Sequence, residues 1–320
     1  MLCTAVGEKD RLHTSTCVAT RTICGATTDI SVVLAARNEE LFIFEAVESI
    51  LEQRGVRFEL IVIDDNSSDA TREIVAAFAA RHPNVRLFKN CGAGKVSAFN
   101  YGVGLAKSDW VCIFAGDDMM PAGSLAARWH SVRDVHSDKP IVGLCRLQIM
   151  SASKTFDGLV VPKARNRGGL SGSSYIMDRA AVAKLFPIPE GLPNEDTWLA
   201  AGVTHFDFEV VHSGVIGCRW RLHEGNSRNM FMPFHEYNSR LTPRMAAYSL
   251  FHKRHSAELS EMSRRRLQAR IRCEEARRSG SIAEILLSGA SPVEKLRALA
   301  FSSQPMYDIR RSLFRYFSGW

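Results

Sequence analysis

Between residues 29 and 115 short apolar runs alternate with amphipathic segments, and that alternation constrains the fold more than any other feature of the chain. The runs are DISVVLAA, FELIVID, NVRLF and DWVCIF. Between them the 3.6-residue periodicity predicts helices over 39–53, 69–81 and 95–106, with Ser68 or Asp69 as N-cap of the second. Strands separated by helices imply βαβ units with right-handed crossovers and a mostly parallel sheet. In such sheets ligands lie outside the carboxyl ends of the strands. Here those ends read AARNEE, IDDNSSDAT and FAGDDMMP, and a glycine-containing stretch, NCGAGKVSAFNYG, precedes the fourth strand. A turn explains Asn66 to Asp69, since Asn, Ser and Asp favour turns. It explains less well why Asp64, Asp65, Asp117 and Asp118 gather where several strands end.

Residues 141–229 mix strands with loops: IVGLCRLQIM, SGSSYIM, and the pair FDFEVVHSG and VIGCRWRLH. From 230 onward the chain reads as helical and basic. Three zones follow. Residues 1–28 are a lead-in without periodicity, and 29–229 form the α/β domain, divided into 29–150 and an acceptor half at 151–229. Residues 230–320 are a basic helical extension. The formal net charge is +7. Residues 240–278 hold eleven Lys/Arg against four Asp/Glu, so this segment accounts for the whole excess. The eight cysteines form no CxxC pair or zinc-like spacing, and Cys112 and Cys145 sit in apolar runs as small core residues. No apolar stretch approaches the ~18–20 residues that cross a bilayer, and the N-terminus lacks a signal-peptide core. The expected location is cytoplasmic.

Six ordered segments between Asp29 and Ser227 resemble the family 2 glycosyltransferases. The first is Ala35-Ala36-Arg37-Asn38-Glu39, at the family's Pro-x-Tyr-Asn-Glu segment. Asp64-Asp65-Asn66-Ser67-Ser68-Asp69-Ala70-Thr71 follows, and then Gly94 to Gly102 with Lys95 and Asn100. Ala115-Gly116-Asp117, extended by Asp118, stands at the Asp-x-Asp metal motif. Glu195-Asp196 and Arg221-Leu222-His223 through Ser227 complete the series. The resemblance implies a GT-A nucleotide-sugar fold and an inverting transferase that moves a sugar from a UDP- or GDP-sugar to a glycan or lipid-linked acceptor hydroxyl.

Further expectations come from the same resemblance. Asp65 would bind the nucleobase or ribose, and Ala35, Arg37 and Glu39 would line the nucleotide pocket, with Gly116 and Lys95 near the phosphates. Asp117, Asp118 and His223 would hold Mn²⁺ or Mg²⁺, hard cations suited to carboxylate and phosphate oxygens. Asp196 would be the general base, with Glu195 and Arg221 on the acceptor side. Two positions depart from the pattern: Ala115 replaces the first metal-motif aspartate and Arg37 the tyrosine. A catalytically degenerate relative is therefore one alternative.

A nucleotidyltransferase is another, although AARNEE is not the glycine-rich basic loop such an enzyme would carry after its first strand. Nucleic acid is not an expected partner: GDD stands in a βαβ setting and no nucleic-acid-binding motif accompanies the basic segment. The run RRRLQARIR and the terminal DIRRSLFRYFSGW instead suggest an anionic membrane surface as partner of 240–320, at the inner face of the cell membrane.

Overall fold

The computed structural model describes residues 28–154, 156–223 and 232–317. The expected lead-in, but for Thr28, and Ser227 lie outside the described residues.

Four parallel strands form the first half of the sheet: β1 (Ile30–Ala36), β2 (Phe58–Asp64), β3 (Val85–Lys89) and β4 (Trp110–Ala115). Every residue of β1 is buried, and all of β2 except Phe58. Strands covered on both faces cannot alternate with polar residues, which is why they read as continuous apolar runs. The helices between them are α1 (Ile43–Leu51), α2 (Thr71–Ala79) and α3 (Lys95–Leu105). The strand order is β3-β2-β1-β4, so the winding reverses between β1 and β4. Ala35 lies opposite both Ile63 and Ala115, and Ala36 opposite Asp64. The strand ends are therefore level, and the crevice at the reversal is where a ligand is expected.

α1 starts four residues later than the periodicity predicts. The backbone of residues 38–40 is tied to the β2–α2 loop instead. Asn38 N–H donates to Ser67 Oγ (3.0 Å), Glu39 N–H to Thr71 Oγ1 (2.7 Å) and Glu40 N–H to Asp69 Oδ2 (3.1 Å). Asn38 and Asn66 both take positive φ (54° and 58°), a conformation that asparagine tolerates better than most residues. The N-cap of α2 is Ala70, with no side-chain cap, rather than Ser68 or Asp69. Asp69 instead accepts the Thr71 N–H at 3.0 Å while serving Glu40.

α4 (Ser124–His130) leads to β5 (Ile141–Ser151), the short β6 (Val160–Val161) and β7 (Tyr175–Asp178), which runs antiparallel to β4 and β5. α5 (Arg179–Leu185) and α6 (Asp196–His205) follow, then β8 (Glu209–Leu222), parallel to β5. The two strands expected from FDFEVVHSG and VIGCRWRLH are one continuous fourteen-residue strand. Ser213-Gly214 does not turn the chain back; the extra residues are absorbed by a register shift opposite Leu144–Arg146. The far end of β8 reaches the exit of β4, where Met119 and Arg219 exchange backbone hydrogen bonds of 3.1 and 2.8 Å.

The C-terminal region is helical, as expected: α7 (Phe234–His255), α8 (Glu261–Ser279), α9 (Ile282–Leu287), α10 (Pro292–Ala300) and α11 (Gln304–Phe317). Ala247, Phe251 and Leu267, from α7 and α8, enter the same buried cluster as Val33 of β1 and Val111 of β4. Of the eleven basic residues of 240–278, Arg244, Arg270 and Arg277 are buried and most of the others are exposed. Arg270 pairs with Glu274 and Glu294, Arg277 with Glu274, Arg265 with Glu261 and Arg244 with Asp196. Together these elements make an α/β fold with a mostly parallel sheet flanked by helices. Cys112 and Cys145 are buried in it, as expected.

Candidate active site

β4 delivers Gly116, Asp117 and Asp118 to the crevice. Gly116 donates its N–H to Ala35 O (3.1 Å), and a Cβ here would lie 2.9 Å from that of Ala36, so glycine lets the two strand ends close together. Asp117 Oδ2 lies 3.2 Å from His223 Nε2, just beyond the end of β8. Burial pushes the Asp117 carboxyl up, but the His223 hydrogen bond and the Lys95 charge outweigh it and hold it below the usual carboxylate range. The same hydrogen bond raises the His223 imidazole above its ordinary value. Glu39 is raised to about 7, first by burial and then by the charge of Asp117, which places it beside the same centre.

Asp118 does not join this pair. Its Oδ1 accepts the Arg221 N–H (3.0 Å), and its Oδ2 accepts from the Ser173 hydroxyl (3.2 Å) and the Cys218 thiol (3.4 Å). The expected trio of Asp117, Asp118 and His223 therefore divides. Asp117 and His223 meet, while Asp118 holds β8 and the 172–174 turn against the exit of β4. Burial and then the charge of Asp117 raise the Asp118 carboxyl from 3.8 to about 7. The folded chain thus keeps a proton that the unfolded chain gives up, so this carboxyl favours folding less as pH rises through that window. Asp118→Asn should flatten the fall. Denaturant unfolding in metal-free buffer at about pH 5 and about pH 8 should show the variant gaining on the order of 1–3 kcal/mol on wild type. An unchanged difference between the two pH values would refute the assignment.

Among the described residues no group of three or more His, Cys, Asp and Glu side chains could hold a metal ion alone. A carboxylate beside an imidazole nevertheless fits Mn²⁺ or Mg²⁺ when phosphate oxygens and water complete the shell.

Asp65 shapes the approach to this centre from β2. Its carboxylate accepts the Gly94 N–H (2.9 and 3.0 Å) and the Asn90 amide (2.8 Å), which fixes the loop that starts α3. Asp64 instead serves the turn, accepting the Ser67 N–H at 3.2 Å. Lys95 is the first residue of α3, and its ammonium lies 3.5 Å from Glu195 Oε1. The Lys95 side chain is 42% exposed; the protein packed around it works to lower its pKa, but Glu195, Asp117, Asp196 and Asp118 together outweigh that and raise it. One lysine therefore feels acids from the end of β4 and from the start of α6.

Glu195 is the N-cap residue of α6 and Asp196 its first helical residue, and both are buried. Gly172 makes room for Glu195, because a Cβ there would sit 2.2 Å from Glu195 Oε1. Asp196 Oδ2 accepts from Arg244 Nη2 at 2.7 Å and Oδ1 from the Thr197 hydroxyl at 3.1 Å. The expected acceptor-side pair also divides. Glu195 faces Lys95. The Arg221 guanidinium lies over the Phe42 ring (4.7 Å), donates to Asp117 O (3.0 Å) and pairs with Glu45 (2.5 Å), all on the β1 and β4 side. Ala35 is buried at the end of β1, while Arg37 is exposed just beyond it.

Sequence reasoning missed Arg244, Ser173, Cys218, Asn90 and Phe42. Arg244 alone left a usable signal: it sits three residues before Ala247 and seven before Phe251, on an otherwise apolar helical stripe.

Residues 31–134 match the family described as Glycosyl transferase family 2. The succinoglycan biosynthesis protein ExoO of Rhizobium meliloti is 42% identical over 93 residues, which cover 28% of this chain and 26% of that protein. Glycosyltransferase GlyG of Streptococcus pneumoniae is 32% identical over 110 residues, 34% of this chain and 36% of that protein. The chain thus spans only about a quarter to a third of the length of these relatives. Among solved structures, S. aureus TarS 1-349 in complex with UDP-GlcNAc matches with a TM-score of 0.57 at 18% identity, over 90% of this chain and 86% of that one. The mannosyltransferase PcManGT from Pyrobaculum calidifontis, in complex with GDP-Man and Mn²⁺, also matches at 0.57 and 17% identity, over 90% and 79%. At these identities the likeness concerns the fold.

Proposed function

We propose, from the match of residues 31–134 to glycosyl transferase family 2, that the crevice takes a nucleoside-diphosphate sugar and transfers the sugar to an acceptor hydroxyl with inversion. Asp196 takes the acceptor proton as the oxygen attacks the anomeric carbon. The C–O bond to the diphosphate breaks on the opposite side, and the nucleoside diphosphate leaves with the bonding electrons. General-base assistance of this kind contributes ~10²–10⁴ in rate. Asp117 and His223 would hold a divalent cation, which supplies positive charge at the diphosphate oxygens when bound. Lys95 adds a second positive charge nearby. Asp65, Ala35, Arg37 and Glu39 border the nucleoside end. Asp118 and Arg221 shape the site without touching substrate.

The observation that carries this reading is that Lys95 lies 3.5 Å from Glu195 at the start of α6 and within reach of the charge of Asp117, which meets His223 at 3.2 Å at the end of β4. It matches a reaction that needs a cation-lined diphosphate site facing a base. The test incubates the full chain with UDP- and GDP-sugars, with Mn²⁺, Mg²⁺ or chelator, and follows nucleoside diphosphate release and product anomeric configuration. Metal-dependent release with an inverted product is expected. Turnover of nucleoside triphosphates instead would favour a nucleotidyltransferase and overturn the proposal.

The acceptor is proposed to be a glycan or lipid-linked sugar at an anionic membrane surface. No helix among the described residues is long and apolar enough to cross a membrane. Leu286, Leu287 and Leu296 of α9 and α10 and Ile309 of α11 are nevertheless exposed, Leu287 by 85%. Exposed Arg297 and Arg311 accompany them, the mixture that suits an interfacial surface. In liposome flotation the chain should rise with anionic vesicles, and Leu286→Ser/Leu287→Ser should weaken that binding. Equal binding to neutral vesicles would contradict a charge-dependent surface.

A further inference from the structure

The C-terminal helices reach the candidate base directly, and nothing in the family match at 31–134 accounts for this. Arg244 lies in α7, 48 residues beyond Asp196, and the two side chains are 7% and 12% exposed where they meet at 2.7 Å. The contact is rigidly supported on both sides. Two residues after Asp196, the Trp198 ring meets Phe251 of α7 edge-on (5.0 Å, 68°), and its indole N–H donates to Leu185 O at 2.9 Å. Ala247 and Phe251, on the same stripe as Arg244, are fully buried. α7 is thus pinned to α6 by apolar packing, with the ion pair at the edge of that packing where the carboxylate begins the helix.

A carboxylate at a helix start can rotate about two side-chain bonds. A base must instead present one oxygen to a hydroxyl within hydrogen-bond reach, and a misplacement of about 1 Å costs on the order of 10²-fold in rate. We propose that Arg244 is the positioning residue for Asp196: it fixes the carboxylate through Oδ2 and so makes docking of α7 a condition of catalysis. This rests on the reading of Asp196 as base. Each carboxylate oxygen can accept more than one hydrogen bond, so the arginine and an acceptor hydroxyl can be served together.

The test is a double-mutant cycle on the full chain, measuring kcat, donor KM and donor binding by calorimetry. Arg244→Met should lower kcat about 10²-fold and leave donor KM and affinity nearly unchanged, and Arg244→Lys should recover much of the loss. In an Asp196→Asn background, Arg244→Met should cost little more, because a residue acting through Asp196 has nothing left to position. Losses that multiply, or donor affinity that falls in parallel with kcat, would show a general structural role and overturn the proposal. So would full activity in Arg244→Met.

Should Arg244→Met not fold, the comparison falls to Arg244→Lys and Asp196→Asn/Arg244→Met, which leaves no lone buried charge. Positioning then requires the lysine variant to lose kcat with donor KM unchanged and the double variant to match Asp196→Asn; a double variant well below Asp196→Asn overturns it. If Asp196→Asn alone keeps wild-type kcat, the reading of Asp196 as base fails. If Asp196→Asn is impaired and Arg244→Met is not, only the positioning role fails.

Discussion

Asp196→Asn should lower kcat by about 10²–10⁴-fold while leaving donor KM close to wild type. The amide keeps the shape of the carboxylate and can still meet Arg244 through its oxygen, but it cannot accept a proton. The donor contacts proposed above are with Asp117, His223 and Lys95 rather than with Asp196, so ground-state donor binding should survive. Steady-state kinetics with the best donor and calorimetric donor titration separate the two effects. A variant that loses donor affinity and keeps kcat would place Asp196 in binding and leave the reaction without its base.

Asp117→Ala should abolish metal stimulation of turnover and reduce kcat/KM by at least ~10²-fold. Charge stabilisation at a diphosphate contributes several kcal/mol, and each 1.36 kcal/mol is tenfold in rate. The Asp117 carboxylate meets His223 at 3.2 Å. Asp118 cannot readily replace it, because turning outward would strip the Arg221 N–H, Ser173 and Cys218 of their acceptor. His223 would also lose the hydrogen bond that holds it above its ordinary pKa. Turnover measured against Mn²⁺ concentration checks this; an Asp117→Ala enzyme with an unchanged metal response would show the cation sitting elsewhere.

The parallel sheet was legible because β1 and β2 are buried on both faces, and burial of that kind leaves an uninterrupted apolar run in the sequence. The strand ends were legible for a related reason: Asp65, Asp117 and the 38–40 segment each begin two positions after the last apolar residue of their strand. What alternation hides is direction. Consecutive residues leaving a strand point to opposite sides, so the pair at 117–118 reads as two ligands when one faces the crevice and the other the interior. Charge counting is likewise incomplete at 240–278. It registers eleven basic residues, but Arg244, Arg270 and Arg277 meet acids that the chain brings from other turns and other helices. The division at Ser213-Gly214 failed because a bulge and a turn use the same small residues, and only the length of β5 decides between them. Arg221 was read as acceptor-side from the resemblance, whereas β8 carries it back to the exit of β4.

Crystals grown with Mn²⁺ and a nucleoside diphosphate, examined by anomalous scattering, give the most direct test. The account predicts one strong manganese peak in contact with the Asp117 carboxylate, His223 and the diphosphate, with Asp196 facing the same cavity across from it. A peak at Asp118 or outside the crevice, or a diphosphate bound away from Lys95, would contradict it.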